Sequence, residues 1–278
     1  MITASKVPAI LGVSRFKSSF SLWHEMAGFV EPTPMNEGRA AWGHIAEESL
    51  AKWWQKQNPG WYLNRPVDGS FEVAYTDETL PFPNIATLDR RASRGAWRHI
   101  VECKTAFSFD GWGRVGEANS IPMDYLSQLL FQMGVSGIHR ASIVLLGPSM
   151  VPEIHPVAWD EEAYLAIVAE CEKWHRSILA GDPPPLDSRE TTYETLRGLH
   201  PDIDRDLVVE TDLETATAIV EAERAKKDAD RAVVGAKSTA ADLMGNARLL
   251  LCGGEKIADR RSKSGGRPYV TINRKAAI

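Results

Sequence analysis

The chain has 278 residues, 44% hydrophobic and 25% charged, the make-up of a globular protein with one large domain or one domain plus an extension. Its three cysteines, Cys103, Cys171 and Cys252, lie far apart without a Cys-x-x-Cys pair, which argues against a zinc ribbon, an iron–sulfur cluster or a disulfide framework and fits a reducing, cytoplasmic setting. Net charge is −5, and with no apolar run of about 18 residues and no basic-then-apolar leader, neither membrane insertion nor export is expected.

In chain order, "TASKVPAILG" (3–12) reads as a short helix capped by Thr3 or Ser5, and "SLWHEMAGF" (21–29) as a second ending near Gly28. A longer amphipathic helix spans 39–57, with Trp42, Ile45, Ala46, Leu50, Trp53 and Trp54 on one apolar arc. Strands are expected near 70–75, 85–91, 98–105 and 141–147, the central pair turned into a hairpin by "SRG" at 93–95. Helices follow at 123–137 and 161–181, the latter closed by Gly181 and three prolines. This is an α/β pattern: a central mixed sheet flanked by helices over residues 1–185, and an extension over 186–278. In the extension, 205–246 reads as one long helix, or two broken near Gly235, and the end of the chain as a β-hairpin around "SKSGGR". Eight Lys and Arg against two acidic residues between Arg248 and Ile278 give a local +6 and leave −11 elsewhere, which fits either a polyanion contact or a solvated tail.

Three features carry chemistry. In "IVECKTA", Glu102 and Lys104 are two residues apart on one strand and share a face, and the hairpin brings Asp89 opposite Ile100 or Val101, close to Glu102. Two carboxylates so placed raise each other's pKa unless a cation lies between them, and a hard divalent ion such as Mg²⁺ or Mn²⁺ suits oxygen donors. The plain alternative is a Glu–Lys pair on a solvated face. On the helix at 39–57, Glu47 sits at the edge of the apolar arc, one turn after Gly43, while Glu48 points to the polar side; a surface glutamate is the plain alternative for Glu47. On the helix at 123–137, Tyr125, Gln128 and Gln132 form a polar stripe that asks for buried partners, hydrogen bonds within the core being the alternative, above all for Gln132.

The order G-x-x-x-E, D, E-x-K, Y-x-x-Q resembles the PD-(D/E)XK nucleases of the RecB-like branch, and more closely the YqaJ-type viral recombinases that include phage lambda exonuclease. "ITASKVPAILGVSRFKSSFSLWHEMAG", "WGHIAEESL" and "DYLSQLLFQMGVSG" are similar to that family's amino-terminal segment, Gly/Glu helix and Tyr/Gln helix, so the likeness covers residues 2 to about 180. It implies a PD-(D/E)XK core in which Asp89, Glu102 and the backbone carbonyl of Cys103 ligate one metal ion. Glu47 completes a second metal position shared with Asp89, Lys104 orients or activates the water, and Gln128 with Tyr125 holds the site and the scissile phosphate. It also implies two Mg²⁺ or Mn²⁺ ions per site, linear double-stranded DNA as substrate, a homo-oligomer (a trimer), a phage or prophage setting, and a single-strand annealing protein as partner. Members of the lambda exonuclease type carry an arginine shortly before "TAS", where Met1 and Ile2 stand here. Ser5, Arg15 or Lys17 would then meet the DNA 5′-phosphate, and the 5′→3′ polarity rests on them. Arg90, Arg91, Arg94 and Arg98 are expected near a DNA channel. The reading is a metal-dependent exonuclease that leaves 3′ single-stranded tails, against an endonuclease of the same superfamily or a non-catalytic DNA-end-binding or partner-binding module.

Overall fold

The apolar stretch that opens the chain does not begin as a helix. The computed structural model, which describes residues 1–32, 37–117 and 119–276, forms a short strand, β1 (Ile2–Thr3), a 3-10 turn at Ala4–Lys6 and one helical turn, α1 (Val7–Ile10). Pro8 lies in that first turn, where its missing N–H costs nothing. Thr3 does not cap it; its hydroxyl bonds that of Ser5 at 2.9 Å. The next helix, α2 (Ser19–Met26), starts earlier than expected because Ser18 caps it, accepting the Ser21 N–H at 3.0 Å. In α3 (Glu37–Gln57) the buried face begins only at Ala46, so Leu50 and Trp54 enter the core while Trp42 and Ile45 are exposed.

Strands β2 (Tyr62–Leu63), β3 (Val73–Tyr75), β4 (Asn84–Leu88), β5 (Arg90–Arg94) and β6 (Trp97–Thr105) follow. The run expected as one strand over 85–91 is two, in different sheets. β4 lies between β1 and β3, β5 lies between β2 and β6, and Asp89 is the single residue at the transfer. The β5–β6 hairpin turns on Gly95 and Ala96, Gly95 taking φ 58°, a conformation that a glycine adopts without steric cost. Arg90 therefore pairs with Val101, and continuing the ladder brings Asp89 level with Glu102, a residue further along than the sequence suggested.

Parallel strands need a crossover, and α4 (Met123–Ser136) supplies it between β6 and β7 (Arg140–Leu146). An unanticipated strand, β8 (Pro152–Ala158), completes a five-stranded sheet of order β2-β5-β6-β7-β8. Pro152 and Pro156 obscure its pattern in the sequence and are tolerated because β8 is an edge. α5 (Glu161–Ala180) begins at an Asp160 cap and ends at left-handed Gly181. On one face of the sheet Ile100 and Ile143 pack with Leu129, Leu130 and Met133 of α4 and Trp174 of α5. On the other, Ala92, Val101 and Val144 pack with Ala46, Leu50 and Trp54 of α3.

The chain forms two bodies, Met1–Ile203 and Asp204–Ile278. The first runs past the expected boundary at 185 because α6 (Glu190–Leu199) is pinned to the segment before and within α2. Thr192 Oγ1 donates to Ser18 Oγ at 2.7 Å, Thr195 Oγ1 to Ser21 Oγ at 2.8 Å, and Arg189 to the carbonyls of Ser14 and Lys17. In the second body α7 (Leu213–Met244) is one helix that continues through Gly235. The expected terminal hairpin has a third strand, giving β9 (Leu249–Cys252), β10 (Glu255–Arg261) and β11 (Tyr269–Ile272) in the order β11-β10-β9. Among the described residues no helix is long and apolar enough to cross a membrane.

Candidate active site

Alternation along β6 sends Ile100, Glu102 and Lys104 toward α4, and Val101 and Cys103 toward α3. The Glu102 carboxylate is 2% exposed, a burial that would be prohibitive without partners. It has three. Oε1 accepts from Lys104 Nζ and Gln128 Nε2, both at 2.7 Å, and Oε2 accepts from Gln132 Nε2 at 3.1 Å. The same Gln132 nitrogen donates to the Thr87 carbonyl of β4 at 2.9 Å, so one amide spans both sheets.

Asp89 Oδ2 accepts the Cys103 N–H at 2.8 Å. Burial, reinforced by the charge of Glu102, pushes the Asp89 carboxyl well above its ordinary range, and Lys104 with the Cys103 amide only partly offsets this. Burial alone would pull Lys104 down, but Glu102 and Asp89 outweigh it and hold the ammonium above its usual pKa. Burial, with Asp89 next, also raises the Cys103 thiol, which makes it a poor nucleophile. The Tyr125 ring takes two cations on its π system, Lys104 Nζ at 5.4 Å and Arg15 Cζ at 5.0 Å from its centre. Arg15 is held there by Asp124 Oδ2 at 2.8 Å and the Asp110 carbonyl at 3.2 Å, and 40% of its side chain remains exposed.

On the α3 side, Glu47 Oε1 receives Arg90 Nη1 at 2.7 Å. Arg90, expected at a DNA channel, is instead buried, because strand alternation turns it to the face opposite Asp89. Its guanidinium also donates to the Asp89 carbonyl at 2.5 Å and lies over the Phe71 ring, 4.4 Å from the centre. Glu47 Oε2 is 3.5 Å from His44 Nδ1, and the Glu47 carbonyl receives the Cys103 thiol at 3.6 Å.

Asp89, Glu102, Cys103, Lys104, Gln128, Tyr125 and Arg15 are thus gathered, and Glu47 is adjacent but engaged by Arg90. Ser5, Lys17 and Arg91 turn to other partners: Thr3, Glu25 at 2.5 Å, and the Tyr75 hydroxyl at 2.9 Å. Gln132, kept outside the site on sequence grounds, belongs to it; its place on the stripe with Gln128 was the available signal. The donor set suits one hard cation. The charge of Glu102 adds to the cost of ionising Asp89, and both side chains offer oxygen donors of the kind a hard cation takes. Among the described residues, no three His, Cys, Asp or Glu side chains converge as a metal-ligand cluster, so a cation at Asp89 and Glu102 would take its remaining ligands from other oxygens.

The uncharacterized protein YqaJ of Bacillus subtilis (strain 168) is 26% identical over 205 residues, and the match takes in 70% of this chain but only 59% of that protein's length. Among solved structures, LHK-Exo in complex with dAMP is similar at TM-score 0.49 and 14% identity over 70% of this chain and 91% of that one. An alkaline exonuclease (LHK-Exo) from Laribacter hongkongensis is similar at TM-score 0.48 and 14% identity over 65% and 89%. Residues 1–139 match the YqaJ-like viral recombinase domain. That stretch is half the chain and carries α3, the Asp89 junction, the E-x-K strand and all of α4, so the protein belongs to the YqaJ-like viral recombinase domain family.

Proposed function

We propose that this protein is a metal-dependent exonuclease that degrades linear double-stranded DNA from its 5′ ends and leaves 3′ single-stranded tails. The observation that carries this is the buried Glu102 carboxylate, tied to Lys104, Gln128 and Gln132 with Asp89 beside it. A buried acidic pair that is maintained at the cost of burial, next to an ammonium, is an arrangement for binding a cation and a phosphate rather than for stability. Mg²⁺ or Mn²⁺ at Asp89, Glu102 and the Cys103 carbonyl would supply Lewis-acid activation of the phosphodiester and its attacking water.

The chain's own groups do the rest. Gln128 and Gln132 fix the Glu102 carboxylate, and the Cys103 amide fixes one oxygen of Asp89, leaving the other for the cation. Lys104, held between Glu102 and Tyr125, donates hydrogen bonds to the water and to the charge that develops on the phosphate. Arg15, partly exposed and anchored by Asp124, is placed to meet a terminal phosphate. The reading extends to action in the cytoplasm, a homo-oligomeric ring for processivity, and an annealing protein that takes over the exposed strand.

The test is digestion of linear duplex DNA bearing a 5′-phosphate, with Mg²⁺ or EDTA, by wild type and Lys104→Ala, beside a covalently closed circle. Mononucleotides should appear only with metal, only from linear DNA, and at least about 100-fold more slowly with the variant. Labelling each end in turn gives the polarity. A cut circle would make the activity endonucleolytic, and DNA bound but never cut would make the site inert.

A further inference from the structure

The two carboxylates contributed from opposite faces of the sheet do not have the same partners. Glu102 meets an ammonium and two neutral amides, all on the α4 side. Glu47, on the α3 side, meets a guanidinium that is itself built into the fold. Arg90 is 5% exposed, its Nη1 bridges Glu47 Oε1 at 2.7 Å and the Asp89 carbonyl at 2.5 Å, and its plane lies over Phe71. A guanidinium cannot give up its proton in a protein, so this charge is permanent. A divalent ion brought to Glu47 would lie against it and be repelled, and moving the arginine aside would break both hydrogen bonds and the ring contact.

We propose that Arg90 is the fixed second cation of this site. It neutralises Glu47 and supports the Asp89 backbone, so the chain binds one divalent ion, at Asp89 and Glu102, where a second would otherwise sit between Glu47 and Asp89. This rests on the metal-dependent nuclease reading and changes its stoichiometry. It also gives Arg90 a positioning role: it sets the charge and orientation of Glu47 from the α3 side of the sheet.

The experiment is a titration of metal-free, full-length protein with Mn²⁺ in the absence of DNA, free Mn²⁺ being read by electron paramagnetic resonance. The wild type should take up one ion per chain, and so should Arg90→Lys, which keeps the charge. Arg90→Gln should take up two, and adding Glu47→Gln to it should return the count to one. Should Arg90→Gln fail to fold, Glu47→Gln alone decides: one ion with unchanged affinity supports the proposal, and loss of an ion overturns it. Two ions on a wild type whose digestion of DNA requires metal, or one ion on a folded Arg90→Gln, overturn the proposal alone. A wild type that binds no Mn²⁺ and ignores EDTA overturns the nuclease reading and the proposal with it.

Discussion

Gln132 does the work of two residues with one nitrogen. Its Nε2 donates to Glu102 and to Thr87, while its Oε1 is buried without a hydrogen-bond partner among the described residues. Gln132→Leu keeps much of the volume and deprives a carboxylate oxygen and a carbonyl of their donor. It should destabilise the fold by about 1–3 kcal/mol, read as a lower urea midpoint, and should weaken Mn²⁺ binding by freeing Glu102 to turn. His99 makes the opposite kind of claim. Its ring packs against Trp54 and Trp61 and meets Ser142 Oγ at 2.9 Å, and burial, with Arg140 next, lowers its pKa from 6.5 to about 4. The folded protein therefore holds this ring neutral where the unfolded chain would protonate it. Its contribution to stability is full above pH 6.5 and is lost as pH falls toward about 4. Thermal midpoints should decline across that window, and less steeply in His99→Phe; equal slopes would show that the ring is not the titrating group.

At the residue scale the sequence was informative wherever a short-range period decides the outcome. Glu102 and Lys104 had to share a face, and Gln128 had to follow Tyr125 on the same stripe. Arg90 is the instructive miss. The same alternation that placed Glu102 also sends Arg90 away from Asp89, but its charge invited a surface reading, and its partner Glu47 lies 43 positions earlier in the chain.

Among the elements, α4 packs tightly against α5. A Cβ on Gly134 would overlap the ring of Tyr164 on α5, whereas a Cβ on Gly235 of α7 would meet nothing. Gly134→Ala should therefore cost about 1–3 kcal/mol through overpacking, and Gly235→Ala should gain roughly 0.5–1 kcal/mol from helix propensity. Urea unfolding followed by circular dichroism would measure both, and a neutral Gly134→Ala would mean that α4 and α5 can slide apart freely. The same contrast explains why Gly235 does not break α7, since isolated glycines weaken a helix without ending it. Element boundaries were least legible where tertiary pairing overrides pattern. No local signal in "NIATLDRRASR" reveals that β4 and β5 join different sheets, and β8 was hidden by prolines that only an edge position permits.

Taken whole, every member of the two apolar clusters lies within Met1–Ile203. A chain ending at residue 203 should fold with a thermal midpoint close to that of the full-length protein, checked by circular dichroism. It also lacks the eight cations of the segment from Arg248 onward. Its DNA affinity should then fall less steeply with salt, by about 0.9 in log–log slope for each phosphate that those cations no longer neutralise. An unchanged slope would assign DNA binding wholly to the first body. The expected boundary at 185 falls at a proline run, a reasonable place for a linker, but α6 is secured by serine and threonine hydroxyls, a kind of adhesion that leaves no hydrophobic signature.

Asp89 is also the stitch where one length of backbone leaves the small sheet and enters the large one, with Gln132 clasping β4 of the first to β6 of the second. The carboxylate pair thus sits on a mechanical joint, and its spacing registers the tilt of one sheet against the other. If the proposed nuclease function holds, a substitution in β1 or β3, far from the carboxylates in the chain, should act through that joint as a lever and change the rate of DNA digestion while every residue of the site stays the same.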